Sequence, residues 1–416
     1  MEIFLLFTVL ALVVITFGYF INKYLKMPWM FTAVLFGMIL SSFGLFTDVM
    51  KSQEFLFLSK IGMFFFLFTI GLDLDLSQIR KLGGYIIAGN VLLTLTEGLL
   101  IASLLYFVFP VFVSHSILVA LLCGIAFGTV GEVILLAILK EFGLEKTRFG
   151  QLALGIGVFD DIFEILVLSI IIALPAFSVS ASQGEAWNRA IGIVISLAAI
   201  IGATILLSKV GKLVQKQVMK VQGNSFVLPF MIFMVFFAFL YFGTLGFENL
   251  GVVAAIFAGI SVNHLFPEKV VEQYKKPIFF VGNMFLGPFF FLSIGGSMSF
   301  SALLSYPLLI LAIMAISVLA RTLVSYLLFR KLLGSRLSVV MGIGLTAKFS
   351  TSVISENLLF TSGMIAQPLY SALMAAFILL KPIIIGGFSK GLAITKEAHT
   401  EFRGASSEAI PAAFKD

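Results

Sequence analysis

Apolar runs of about 20 residues recur along the whole 416-residue chain, and this repetition constrains its fold more than any other feature. Each run is long enough to cross a hydrocarbon core of roughly 30 Å as a helix. Hydrophobic residues make up 60% of the chain and charged residues only 12%, whereas a soluble domain carries about 25% charged residues. The sequence therefore predicts an all-α polytopic membrane protein that lies in the lipid bilayer.

Hydropathy and loop charge together predict about thirteen transmembrane helices. Their approximate limits are 3–21, 28–46, 54–72, 83–108, 115–138, 149–174, 190–208, 226–244, 250–263, 277–297, 304–329, 337–360 and 367–388. Lysine and arginine are concentrated in the loops after the odd-numbered spans. The positive-inside rule then predicts an N-terminus outside the cell inner (plasma) membrane and a C-terminus in the cytoplasm, with a short polar tail at 391–416.

Several functional classes are disfavoured by composition. The net charge of +6 is spread over short loops, as positive-inside loops require, and does not indicate nucleic-acid binding. The single cysteine, Cys123, cannot form an intrachain disulfide, and the three histidines are scattered, so no zinc site is predicted. No cofactor is expected.

Two of the predicted spans contain an interruption. One is Ala126–Glu132 (AFGTVGE) in the fifth span, and the other is Gly342–Ser352 (GIGLTAKFSTS) in the twelfth. Both combine glycine, hydroxyl residues and one charge, which weaken a helix. A pair of interrupted helices, one in each half of a transporter, indicates an ion site built from inverted repeats. The alternative is that the glycines serve only close helix packing.

Three carboxylates lie within one apolar span, in the run GIGVFDDIFEILVLS. Asp160 and Glu164 are one turn apart on one helix face, and Asp161 points about 100° away. A carboxylate at the centre of a membrane costs roughly 2.5–3.5 kcal/mol, so such residues are functional candidates. Competition of a proton and a cation such as Na⁺ for one carboxylate is the minimal chemistry of an antiporter. The alternative is a structural salt bridge between helices, which is the favoured interpretation for Glu164.

The interruptions carry one charge each, Glu132 in the first and Lys348 in the second. Because the two breaks cross in an inverted-repeat fold, we hypothesise that these residues neutralise each other or the half-helix ends. Arg321 and Lys381 are interpreted as structural, and the long side chain of Lys381 is expected to reach the membrane interface.

Four stretches resemble the monovalent cation:proton antiporter-2 family. They are Phe65–Arg80 (FFLFTIGLDLDLSQIR), Leu139–Asp161 (LKEFGLEKTRFGQLALGIGVFDD), Ala254–Gly259 (AAIFAG) and Phe289–Gly295 (FFFLSIG). The resemblance covers residues 1–390 and implies an NhaA-like homodimer with a dimerisation part, a six-helix core and an elevator movement. It also implies that Asp161 is the main cation and proton carrier, that Asp160 assists, and that Thr129 belongs to the first break's binding motif.

The chain also departs from the family pattern. Gly131 and Glu132 end the first broken-helix motif, and Lys348-Phe349-Ser350 replaces an Arg-Gly-Glu motif, which makes Ser350 a possible accessory residue. No lysine lies inside Pro277–Gly296, where electrogenic members carry one, so the stoichiometry stays open. The nucleotide-binding tail of the potassium-efflux branch is not seen after residue 390, which argues against nucleotide-gated efflux.

The sequence thus predicts a secondary active Na⁺/H⁺ antiporter, with Na⁺ or K⁺ bound at Asp161 and Asp160, and no enzyme. The alternative within this class is a K⁺/H⁺ antiporter or K⁺ efflux protein. Two other classes are a membrane-embedded aspartyl hydrolase and an ion sensor or channel. A hydrolase of that kind normally brings its two carboxylates from separate helices, whereas this pair is adjacent on one.

Overall fold

The structure is a computed structural model. It describes the backbone of residues 2–25, 29–73, 83–130, 135, 139, 144, 147–173, 183–221, 227–245, 250–348 and 351–395. Side chains at 22, 25, 73, 158, 161, 162, 164–173, 183–190, 212–214, 216–221, 351 and 393–395 lie outside the description. The helices are α1 Glu2–Val13, α2 Tyr19–Leu25, α3 Met30–Ser42, α4 Thr47–Lys51, α5 Gln53–Asp73, α6 Gly84–Val108, α7 Ile117–Phe127, α8 Arg148–Ala173, α9 Gln183–Val221, α10 Val227–Thr244, α11 Gly251–Leu265, α12 Glu268–Phe279, α13 Gly287–Gly296, α14 Phe300–Ser305, α15 Pro307–Leu345, α16 Thr351–Thr361 and α17 Gln367–Thr395.

The described residues contain helices and no strand, which confirms the all-α prediction. Within the described ranges, eight helical segments are long and apolar enough to cross a membrane, and α3, α7 and α11 are shorter apolar helices. π-helical turns join α1 to α2 and α12 to α13, so each pair forms one continuous helical segment. The number of thirteen spans stays a prediction.

The chain divides into two compact units. The first comprises Met1–Ile21, Pro28–Asp75 and Leu168–Ser297. Its helices approach closely where glycine removes the side chain: a Cβ added at Gly37 on α3 would lie 2.2 Å from the carbonyl oxygen of Leu292 on α13. The interior of this unit is apolar and rich in phenylalanine, as the ring contact between Phe65 and Phe236 at 4.5 Å illustrates.

The second unit comprises Asn22–Met27, Leu76–Val167 and Met298–Asp416. Here α6 packs against α7 and α15, while α17 packs against α15 and α16. Glycine again sets the spacing, since a Cβ added at Gly124 on α7 would lie 2.2 Å from the carbonyl oxygen of Gly98 on α6. The buried charged side chains discussed below all belong to this unit.

The two predicted interruptions are present and meet within the second unit. Helix α7 ends at Phe127 and the backbone leaves the helical path over 128–130. Helix α15 ends at Leu345, and α16 begins at Thr351. The hydroxyls of Thr129 and Ser352 contact each other across the two breaks. This contact shows that the two breaks lie next to each other, as crossing broken helices require, while the crossing itself stays a prediction. Within α15, non-helical backbone at Gly334 (φ 78°, ψ 164°) separates two helical segments, and this break falls between the eleventh and twelfth predicted spans.

Candidate functional site

Asp160 is fully buried on α8 and accepts hydrogen bonds at both carboxyl oxygens. Its Oδ1 accepts from Asn90 Nδ2 at 2.5 Å and from Thr94 Oγ1 at 3.3 Å. Its Oδ2 accepts from the backbone N–H of Val130 at 2.5 Å. Val130 lies in the first break, where the backbone N–H has no helical acceptor. Asp160 therefore joins α8 to α6 and holds the first break in place.

Helix α6 contributes a polar stripe to this site. Asn90, Thr94 and Glu97 are all buried in an otherwise apolar helix. Their spacing of four and three residues places them on one helix face. The stripe supplies an amide, a hydroxyl and a carboxylate to the region where the two breaks meet.

Arg321, on α15, is fully buried and contacts both broken helices. Its Nε donates to Glu97, its Nη1 donates to the carbonyl oxygen of Leu345 at 2.5 Å, and its Nη2 donates to the carbonyl oxygen of Gly128. Leu345 and Gly128 stand at the carboxyl ends of α15 and α7, where unpaired carbonyl groups carry partial negative charge. One guanidinium thus satisfies both half-helix ends.

Lys348, in the second break, shares the same counter-ion. Its Nζ lies 2.8 Å from Oε1 and 2.9 Å from Oε2 of Glu97. It also lies 3.4 Å from the carbonyl oxygen of Thr129 and 4.8 Å from the ring centroid of Phe127. Lys348 therefore links the second break to the first.

Lys381 is fully buried on α17, and its Nζ donates to the backbone carbonyl of Lys348. The expectation that Lys381 reaches the membrane interface is wrong. The non-helical backbone at Lys348 leaves a carbonyl oxygen without a helical donor, and a buried ammonium group supplies the hydrogen bond. Lys381, like Arg321, stabilises a half-helix end.

Glu97 carries the negative charge at the centre of this cluster. It accepts from Arg321, Lys348 and the hydroxyl of Ser317, and it is fully buried. A buried carboxylate is costly unless it is paired and hydrogen-bonded. Two cations and a hydroxyl meet that requirement for Glu97.

A third buried carboxyl group, that of Glu356, lies in the same unit. Cys123 Sγ on α7 donates to Glu356 Oε2 on α16 at 3.3 Å. Glu356 Oε1 is buried and accepts no hydrogen bond from a described residue. This pair joins α7, which ends at the first break, to α16, which begins after the second break.

Of the residues that the sequence points to, Asp160, Thr129 and Lys348 lie in this region of the second unit. Glu132 and Ser350 lie outside the described residues, as do the side chains of Asp161 and Glu164, whose backbone belongs to α8. The proposed pairing of Glu132 with Lys348 stays a prediction, while the observed counter-ion of Lys348 is Glu97.

Sequence reasoning missed Asn90, Thr94 and Glu97. The signal that indicates them is the spacing of polar residues in the run NVLLTLTE, which repeats on one face of an apolar helix. The run lies far from both interruptions in the sequence, so only the packing of α6 against α7 and α15 brings it to them.

Residues 9–394 match the family described as sodium/hydrogen exchanger, transmembrane. A Na(+)/H(+) antiporter of Enterococcus hirae is 25% identical over 399 residues, which cover 92% of this chain and 97% of that protein. The Na(+)/H(+)-K(+) antiporter GerN of Bacillus cereus is 24% identical over 328 residues, 77% of this chain and 79% of GerN. The sodium proton antiporter MjNhaP1 of Methanocaldococcus jannaschii has a similar fold, with a TM-score of 0.57 and 16% identity over 98% of this chain and 100% of that structure.

Proposed function

This chain belongs to the transmembrane sodium/hydrogen exchanger family, and on that premise we propose that it is a secondary active antiporter that exchanges Na⁺ for H⁺. The observation that carries the proposal is the position of Asp160, which is buried at the first helix break and bonded to its backbone. An ionisable residue within a membrane marks an ion or proton pathway. Irregular backbone at that depth is tolerated where it lines a cavity or is buried in protein.

In the proposed mechanism, Asp161 and Asp160 take up either a proton or a cation. Na⁺ is a hard cation, and carboxylate, hydroxyl and carbonyl oxygens are its preferred ligands. Asp160 and Thr129 bring such oxygens to the break. Because the two ligands compete for one carboxylate pair, binding of Na⁺ releases protons and protonation releases Na⁺.

The charges around the breaks support this assignment. Arg321, Lys348 and Lys381 donate hydrogen bonds to backbone carbonyl groups of the breaks, and the described carboxylate that pairs with Arg321 and Lys348 is Glu97 rather than Asp160. We propose that Asp160 is thereby left to the transported ions. An aspartyl hydrolase is disfavoured, because the described partners of Asp160 are an amide, a hydroxyl and a backbone N–H rather than a second carboxylate.

The direct test is proton flux in proteoliposomes that contain the purified protein. Addition of NaCl to vesicles with an imposed pH gradient should release protons, as followed with a pH-sensitive dye. Asp161→Asn should abolish the response. If neither Na⁺, K⁺ nor Li⁺ produces a flux in the wild type, the proposal is wrong.

A K⁺/H⁺ exchange is the second candidate, because one relative, GerN, is named as a Na(+)/H(+)-K(+) antiporter. The same proteoliposome assay distinguishes the two candidates. The preferred ion is the one with the lower half-saturating concentration when NaCl and KCl are compared. A protein that responds only to K⁺ would replace the Na⁺ proposal by the K⁺ one.

We further propose that transport follows an elevator movement of the second unit in a plasma-membrane homodimer. The support is that Asp160 and its described partners all belong to one compact unit, as a carrier that moves with its cargo requires. A cysteine introduced at Thr129 in a Cys123→Ser background should react with impermeant thiol reagents from either side of the membrane, depending on the direction of the Na⁺ gradient. Reaction from one side only would contradict the movement.

The orientation of the termini is part of the same proposal. A fluorescent protein fused to the C-terminus should be bright if that end is cytoplasmic, whereas a periplasmic phosphatase fused there should be inactive. The reverse pair of results would place the C-terminus outside.

A further inference from the structure

The two polar atoms of the Asn90 carboxamide differ in their hydrogen bonding to the described residues. Its Nδ2 donates to Asp160 Oδ1 at 2.5 Å. Its Oδ1 is buried and accepts no hydrogen bond from any residue that the structure describes. The deprotonated carboxylate of Asp160, the form that binds a cation, fixes the orientation of the amide, because only the NH₂ end can donate to a carboxylate oxygen.

A buried carbonyl oxygen without a donor is unfavourable. Such a group costs about 1–3 kcal/mol, and in native proteins it has a specific explanation. Asn90 is fully buried within α6, where a leucine or alanine would avoid this cost. A positive ion in contact with Oδ1 would compensate it.

We infer that Asn90 Oδ1 is a ligand of the transported monovalent cation and that Asn90 helps to select it. This inference rests on the proposed antiport function and deepens it. The chemistry is suited to the task, since an amide oxygen coordinates a hard cation without adding a further negative charge. The hydrogen bond from Nδ2 to Asp160 holds Oδ1 in a defined direction beside the carboxylate. Asn90 therefore acts both as a ligand and as a residue that orients Asp160.

Thr94 provides a matched control. It lies one turn from Asn90 on the same face of α6, and its hydroxyl also donates to Asp160 Oδ1, at 3.3 Å. Thr94→Val removes one donor to Asp160, and Asn90→Ala removes another. Only Asn90→Ala also removes an unpartnered oxygen.

The experiment compares wild type, Asn90→Ala, Asn90→Ser and Thr94→Val in proteoliposomes with NaCl, KCl and LiCl. Asn90→Ala removes the proposed ligand Oδ1, so it should raise the half-saturating Na⁺ concentration by about tenfold or more. The order of preference among the three ions should change, and Asn90→Ser, with a smaller oxygen donor, should be intermediate. Thr94→Val should keep the wild-type order of ions. Asn90→Ser also serves if Asn90→Ala does not fold.

Two results would overturn the inference. One is an equal shift of the half-saturating concentration in Asn90→Ala and Thr94→Val, which would mean that Asn90 acts only through Asp160. The other is a lower maximal rate of Asn90→Ala with unchanged half-saturation and unchanged ion order.

A binding measurement separates this inference from the antiport proposal. A cation that binds the folded protein raises its melting temperature. If the wild type shows no flux but is stabilised by NaCl, the antiport proposal fails, and loss of that stabilisation in Asn90→Ala alone still supports the ligand role. Equal stabilisation of wild type and Asn90→Ala, or of neither, would refute it.

Discussion

Glu97 Oε1 lies 2.8 Å from Lys348 Nζ, and this buried ion pair connects the continuous helix α6 to the second helix break. The same carboxylate also accepts from Arg321, which reaches both half-helix ends. Among the described residues, Glu97 is therefore the carboxylate that forms ion pairs with both cations. The stability of the crossing depends on it.

Glu97→Gln should strongly destabilise the protein. The substitution leaves two buried cations without their carboxylate, and removal of one partner of a buried pair costs about 3–5 kcal/mol. Thermal unfolding of the detergent-solubilised protein measures the effect. Ser317→Ala is the matched control, since it removes only one hydrogen bond to the same carboxylate. Equal stability of the two variants would contradict the central role of Glu97.

Lys348→Gln should cost less than Glu97→Gln. The reason is that Glu97 keeps Arg321 as a partner when Lys348 loses its charge, whereas both cations lose their partner when Glu97 does. The double variant should be more stable than the sum of the single effects predicts, with a coupling of about 0.5–3 kcal/mol. Additive effects would show that the pair does not interact.

Asp160→Asn should lower the stability of the fold, whereas Asp161→Asn should abolish transport and leave stability unchanged. The NH₂ group of an asparagine at position 160 would face a donor, either Val130 N–H or Asn90 Nδ2, and the lost hydrogen bond should destabilise the fold by about 1–3 kcal/mol. Asp161→Asn should abolish transport and keep the wild-type melting temperature. Parallel unfolding and flux measurements test both statements, and equal loss of stability in the two variants would contradict the division of roles.

The sequence was sufficient to predict where the chain is irregular. Glycine next to hydroxyl residues within an apolar run marked both breaks, because such residues weaken a helix locally. It was also sufficient to single out Asp160, because a membrane carboxylate is costly. Both features are local, and the structure places Asp160 at the first break.

The partners of these residues were not predictable in the same way. Glu132 belongs to the first break and is therefore the counter-ion that the sequence predicts for Lys348, but the described counter-ion, Glu97, is 251 residues away along the chain. The long side chain of Lys381 predicts that it reaches the interface, yet it is buried against the carbonyl of Lys348. Such pairings depend on which helices pack together, and hydropathy does not specify this.

Arg321→Lys should destabilise the crossing although the charge is kept. Three different guanidinium nitrogens of Arg321 donate to Glu97, Leu345 and Gly128. A lysine carries a single ammonium nitrogen on a flexible side chain. It cannot reproduce the planar arrangement of three donor nitrogens that reaches these three acceptors. At least one half-helix carbonyl would lose its donor, so we expect a loss of about 1–3 kcal/mol for each unsatisfied oxygen.

The matched control is Arg330→Lys on the same helix. Arg330 is exposed and lies 5.7 Å from the ring centroid of Tyr326, so its replacement should change stability by no more than about 0.5 kcal/mol. Unfolding of both variants in the same detergent gives the comparison. If Arg321→Lys unfolds at the same temperature as Arg330→Lys, the three hydrogen bonds of the guanidinium group do not hold the two broken helices together. The positive charge alone would then stabilise the place where the breaks meet.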